Sequence, residues 1–134
     1  MRIIPAFIDQ DKSPPGEVLI YEKIQQATTD WTVIHSLDLA PFNRMKRTEI
    51  DFLIIIPDVG LLCVEVKSHR EIGFDGQSWY PERVKKSPFQ QAMDGRYALQ
   101  RRISAGLAMW KDVPVLHCCI FPNAPFTVPR NLSI

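Results

Sequence analysis

The chain has 134 residues, enough for one domain with a buried core. Its 46% apolar and 23% charged composition is that of an ordinary globular protein. A net charge of +1 excludes a globally basic nucleic-acid binder, so any nucleic-acid site must be a local patch.

The N-terminal stretch MRIIPAFIDQDKSPP lacks the apolar core of a signal peptide and carries Asp9 and Asp11 early. It reads as an extended arm closed by Pro14-Pro15. Helical spacing of Leu19, Ile20, Lys23, Ile24 and Ala27 predicts a first helix over 16–27, with Glu17 in its first turn. WTVIHSL, rich in β-branched and aromatic residues, is a strand. APFNRMKRT is a polar, basic connection. IDFLIII and LLCVEVK are two further strands, and REIGF and SWY flank Asp75-Gly76-Gln77 as a short hairpin.

SPFQQAMDGRYALQRRISAGLA is a long helix. Ser87 is its N-cap, Pro88 takes the first helical position, and Gln90 completes a capping box. Phe89, Ala92, Met93, Leu99, Ile103 and Leu107 should face the core, with Gly95 a weak point. VPVLHCCIF is apolar almost throughout and suits a central strand buried on both faces. The tail NAPFTVPRNLSI is broken by prolines, and its abrupt apolar end suggests a piece of a longer protein. No run approaches membrane-spanning length. Cys63, Cys118 and Cys119, odd in number and set in apolar runs, suit buried thiols in a reducing cytoplasm. No zinc-ligand spacing links them to His35, His69 or His117. The order of elements predicts an α/β fold: a hairpin-rich mixed sheet with helices packed on it, the last strand returning through the long helix as a parallel neighbour.

Charge on the two central strands needs an explanation. Side chains alternate along a strand, so Leu61, Cys63, Glu65 and Lys67 share one face and Leu62, Val64 and Val66 the other. Asp51 begins the preceding strand, at the same end of the hairpin. With Asp58-Val59-Gly60 as a three-residue loop and Gly60 left-handed, Pro57 faces Leu61 and Asp51 faces Lys67, with Glu65 diagonal. A four-residue loop would put Asp51 opposite Val66 on the wrong side, unless a bulge restored the face. Glu-x-Lys alone is commonly a salt-bridged strand end. Two carboxylates side by side, however, repel unless a cation lies between them, and Mg²⁺ accepts one or two carboxylates with several waters. A lysine beside them can orient water or stabilise charge on a phosphate.

This pattern resembles the PD-(D/E)XK nuclease superfamily and, within it, the nuclease-related domain, NERD. The resemblance rests on Gly16-Glu17 in the first helix, EIDFLIII, VEVK from Val64 to Lys67, the Trp79 hairpin and SPFQQ, and spans about 16–121. It implies one domain over 1–134, with a core at 16–121, an N-terminal arm at 1–15 and a C-terminal extension at 122–134. The core would be restriction-endonuclease-like, with a mixed central sheet of about four strands flanked by helices. It implies a Mg²⁺- or Mn²⁺-dependent nuclease hydrolysing DNA, RNA not being excluded. Asp51 and Glu65 match its metal-binding acids, with the backbone carbonyl of Val66 a further ligand. Lys67 matches its catalytic lysine. Gln91 matches the glutamine three positions after the motif proline, with Ser87 in place of the family's Asn. Glu17 matches the first-helix glutamate that supports a metal or its waters. The resemblance also allows a homodimer, a fused or associated helicase or kinase domain, and a non-catalytic role as a nucleic-acid-binding or accessory domain of a larger DNA-processing protein.

Simpler roles stand beside these. Glu17 could merely favour the helix dipole, and Gln91 could be solvated. Glu49 should point to the opposite face and be solvated. His69, on the Lys67 face, could reach substrate. Arg44, Lys46 and Arg47 with Lys85 and Lys86 would rim a phosphate site if their loops flank the carboxylates. Arg101 and Arg102 should be the polar face of the long helix. Trp79 and Tyr80 either stack on bases or pack the hairpin.

Overall fold

The structure is a computed structural model that describes residues 1–39, 48–81, 84–106 and 108–127. Its elements are β1 (Arg2–Ile4), α1 (Pro15–Gln25), β2 (Thr32–Leu39), β3 (Thr48–Ile56), β4 (Gly60–Val66), β5 (Ile72–Phe74), β6 (Trp79–Tyr80), α2 (Pro88–Gly106), β7 (Val115–Ile120) and β8 (Phe126–Thr127). A short 3-10 turn at Ala108–Trp110 joins α2 to β7.

The main sheet has the order β1-β2-β3-β4-β7, and a small one the order β6-β5-β8. The expected four strands are β2, β3, β4 and β7. The fifth comes from the arm, where β1 lies parallel to β2 with Arg2 opposite Thr32. As expected, the return through α2 makes β7 a parallel partner of β4. The expectation that β7 is central and buried on both faces fails. It closes one edge of the sheet, and its Leu116 is 58% exposed. An apolar run records which side chains can be buried, not how many strands flank it. The central positions belong to β3 and β4, where Phe52 is fully buried and Cys63 and Val64 nearly so.

Two apolar layers sandwich the sheet. α2 contributes Ala98, Leu99 and Ile103 to the layer containing Leu53, Cys63 and Val115. α1 contributes Tyr21, Ile20 and Ile24 to the layer containing Val33, Phe52, Val64 and Val66. Alternation along β4 is therefore as expected: Leu61 and Cys63 face α2, while Leu62, Val64 and Val66 face α1. In β2 and β3 it breaks. Ile34 and Leu37 both pack on the α2 side, as do Ile50 and Leu53, each pair three residues apart. The change of face occurs at Ser36, which has a left-handed φ of 57°. Ser36 falls opposite Asp51, between the pairs His35–Phe52 and Leu37–Ile50.

Gly95 in α2 has a reason for its missing side chain. A Cβ there would lie 3.1 Å from Ile50 Cγ1, so the glycine lets the helix seat on β3. Ser87 caps α2 by accepting the Gln90 N–H at 3.3 Å, but the reciprocal half of the expected box is absent, because the Gln90 side chain donates to Asp94 at 2.9 Å. Leu107 lies outside the described residues.

At the β3–β4 hairpin Ile56 pairs with Gly60, leaving Pro57-Asp58-Val59 as the loop. Asp58 has a φ of 62° and Gly60 a φ of 147°, and a Cβ on Gly60 would lie 2.5 Å from the Pro114 carbonyl oxygen. Gly60→Ala therefore strains the backbone and pushes on the segment entering β7. We expect a loss of about 1–3 kcal/mol, read as a lowered urea midpoint with an unchanged m-value.

Candidate active site

The loop position decides the register of the acids. Phe52 faces Val64, two residues away from the expected alignment, so one step further Asp51 meets Glu65 rather than Lys67. Because the slip is even, the expected face is preserved. The ladder itself ends at Phe52, and past it Asp51 Oδ2 accepts the Val66 N–H at 2.8 Å. A side chain thus replaces a backbone acceptor, and the Asp51 carboxyl is drawn against β4. Lys67 Nζ lies 3.2 Å from Glu65 Oε1, both side chains largely buried. The Lys67 N–H donates to the Ile120 carbonyl at 3.1 Å, fixing the residue to the end of β7.

Burial is the main electrostatic fact. It pushes Glu65 up to about 7, helped by the charge of Asp51 and opposed by Lys67. It also raises Asp51, against the lowering effect of the Val66 N–H. Two oxygen-donor groups are thus held together at the expense of their charge.

Asp51 and Glu65 open onto a cleft of about 450 Å³ whose other wall is α2, through Gln91, Asp94, Tyr97 and Arg101. Gln91 is half-buried there, and its Oε1 is buried without a hydrogen-bond partner among the described residues. A buried amide oxygen left so costs about 1–3 kcal/mol, which suits a group meant for a ligand. Lys86 borders the cleft in an ion pair with Asp94, while Lys85 is exposed. Arg44, Lys46 and Arg47 lie outside the described residues. Glu49 is exposed, as expected, but it borders the same cleft as Asp51 instead of pointing to the opposite face, and it accepts the Ser36 hydroxyl at 2.9 Å. His69 is half-buried beyond β4 and does not line the cleft. Trp79 packs between Phe74 and Phe89, with ring centroids 5.4 Å and 5.8 Å away. Of its two readings, the hairpin-packing one is the one seen.

Glu17 lies on the other face of the sheet. The α1 N-terminus has no side-chain cap of its own; the Gly16 N–H donates instead to Ser68 Oγ at 2.9 Å, binding the helix start to the residue after Lys67. This holds Glu17, 7% exposed, against His35 Nε2 at 3.0 Å. Burial, with the charges of Asp51, Glu49 and Glu65, pushes Glu17 up to about 7, while burial lowers His35. The pair is a buried hydrogen bond more than an ion pair. Nothing in the sequence joined His35, a lone histidine in an apolar strand, to Glu17. Its ring also packs on Phe52, with centroids 4.8 Å apart. His35→Ala should cost about 1–3 kcal/mol by leaving the Glu17 carboxyl unpartnered, measured by urea denaturation, and His35→Gln should recover part of the loss.

Among the described residues, no group of three or more His, Cys, Asp or Glu is placed to hold a metal. The donor set at β3 and β4 is two carboxyls, all hard oxygen. That suits Mg²⁺ or Mn²⁺, which complete their shells with water and substrate oxygens. It does not suit zinc. The thiols play no part here: burial pushes Cys63 and Cys119 up to about 12.

A mixed five-stranded sheet between two helices, with paired carboxyls and a lysine where β3 and β4 meet, is a restriction-endonuclease-like α/β core. The chain belongs to the NERD family, the nuclease-related domain, whose family model matches residues 12–122. No curated protein and no solved structure gives a significant match. Among the described residues, no helix is long and apolar enough to cross a membrane.

Proposed function

We propose that this chain is a divalent-metal-dependent nuclease domain that hydrolyses DNA phosphodiester bonds. The observation that carries this reading is the Asp51 carboxyl bound to the Val66 N–H beside the Glu65–Lys67 ion pair, with Glu65 raised to about 7 by burial and by the charge of Asp51. Three ionisable groups converging in a half-buried place cost stability, which pairing only partly offsets and a bound cation would offset further. Asp51 and Glu65, with the carbonyl of Val66, would hold Mg²⁺ or Mn²⁺. Bound there, the cation would supply Lewis-acid polarisation of the scissile phosphate and a lowered pKa for water.

The chain's own residues supply the rest. Lys67, fixed by Glu65, places a positive charge where the phosphate gains negative charge. The unpartnered Oε1 of Gln91 can accept a hydrogen bond from the attacking water and orient it. Glu17 and His35 act from behind the sheet, Glu17 through its field on the two acids.

Incubating the protein with plasmid and linear DNA, with Mg²⁺ or Mn²⁺ and with EDTA, tests this reading. Cleavage that needs the metal supports it. Salt-sensitive DNA binding without any turnover would replace it with the non-catalytic accessory role.

A further inference from the structure

The cleft does not stop at the carboxyls. Along α2 the residues bordering it are Gln91, Asp94, the adjacent Tyr97 and Ala98, and Arg101; steps of three or four residues join them across that adjacent pair, so they form one stripe of the helix. At about 1.5 Å of rise per residue, Tyr97 lies roughly 9 Å and Arg101 roughly 15 Å beyond Gln91. Tyr97 is 44% exposed and belongs to neither apolar layer. An aromatic ring facing water beside buried acids is not needed for packing.

The ring is also supported. The Arg96 guanidinium sits over it, 5.6 Å from the centroid, and Arg96 Nη1 is itself 3.2 Å from His117 Nδ1 on β7. One face of the phenol is thus backed by a planar cation, and with the residue 44% exposed the ring has surface to offer a flat partner. Of the two aromatics that the sequence offered for stacking, Trp79 packs against Phe74 and Phe89, and neither it nor the exposed Tyr80 borders the cleft. The cleft volume, about 450 Å³, is that of a site for a small ligand, not of a groove for a double helix.

We infer that this cleft takes one unpaired nucleotide, its base stacked on Tyr97 and its backbone directed along α2 towards Arg101. Bases in a duplex have both faces covered by their neighbours, so only a frayed, flapped or single-stranded end can offer one to Tyr97. The domain therefore prefers DNA with unpaired nucleotides to blunt duplex. This inference rests on the nucleic-acid reading above and adds the form of the substrate.

Binding, not cleavage, tests it. Fluorescence anisotropy would be measured with a short single-stranded oligonucleotide and with the same sequence as blunt duplex. Ca²⁺ would replace Mg²⁺, since it takes the same oxygen ligands. The parent should bind the single strand more tightly than the duplex. Tyr97→Ala should weaken single-strand binding roughly tenfold or more and leave duplex binding unchanged, while Tyr97→Phe keeps the parent affinity. Unchanged melting would show that both variants fold. Equal single-strand affinity for parent and Tyr97→Ala, an equal loss on both DNAs, or a Tyr97→Phe as weak as Tyr97→Ala would overturn the inference while leaving the nuclease reading intact. A parent that binds neither DNA would overturn both.

Discussion

Asp51→Asn and Lys67→Ala are each expected to lower single-turnover DNA cleavage by about a hundred- to ten-thousand-fold. The asparagine is chosen with care. Asp51 does two things: it offers a negative oxygen to the cleft, and it accepts the Val66 N–H at 2.8 Å. Asp51→Ala would remove both and leave a buried N–H unpaired, mixing a folding defect into the rate. Asp51→Asn keeps an acceptor for Val66 and removes only the charge. Lys67→Ala frees Glu65 of its ion pair, raising the carboxyl further and weakening any cation held there. Lys67→Arg keeps the charge but changes its shape, and should restore part of the rate. Cleavage by these variants at the parent rate would show that the activity came from a contaminant.

The second large effect is on stability and needs no substrate. Glu17 and Glu65 both sit near 7 in the folded chain, above the ordinary 4.5. The folded state therefore holds more protons than the unfolded one between these values. Stability falls as pH rises through that window, and the loss is complete above about 7. The metal-free protein should thus have a clearly higher urea midpoint at about pH 5 than at about pH 8, contrary to the usual behaviour of paired carboxylates. Glu65→Gln removes one of the two titrating groups. It should flatten the slope and exceed the parent in stability at about pH 8 by a few kcal/mol. Adding Mn²⁺ should stabilise the parent at that pH and leave the variant much less affected. His35 and His117, both lowered by burial, act in the opposite direction, so the comparison with the variant decides: equal pH slopes for the parent and Glu65→Gln would show that Glu65 is not buried as described.

Much of the site could be read without coordinates, because it depends on parity. Glu65 and Lys67 lie on the Cys63 face whatever the hairpin does, and an odd loop keeps Asp51 with them. What parity cannot give is the pairing itself. The expected loop ended at Gly60, because glycine is the usual left-handed residue. Asp58 takes that conformation, and the alignment moves by two residues. The result is more favourable to a cation than expected, since acid meets acid. His35 was illegible for a different reason: its partner, Glu17, is 18 residues away on a helix, and no local pattern joins them. The edge position of β7 was hidden by its composition. The stripe from Gln91 to Arg101 was present in the helical spacing, but nothing in the sequence said which wall of the cleft it would form.

The change of face at Ser36 and Asp51 has one more effect. Glu17 reaches the sheet from the α1 side, Asp51 and Glu65 open towards α2, and only a single thickness of backbone separates them. Proton uptake or counter-charge on either surface therefore alters the potential on its opposite, since no solvent intervenes to screen it. The β-layer behaves as a thin dielectric septum, across which the acidic pair in front raises the carboxyl of Glu17 behind.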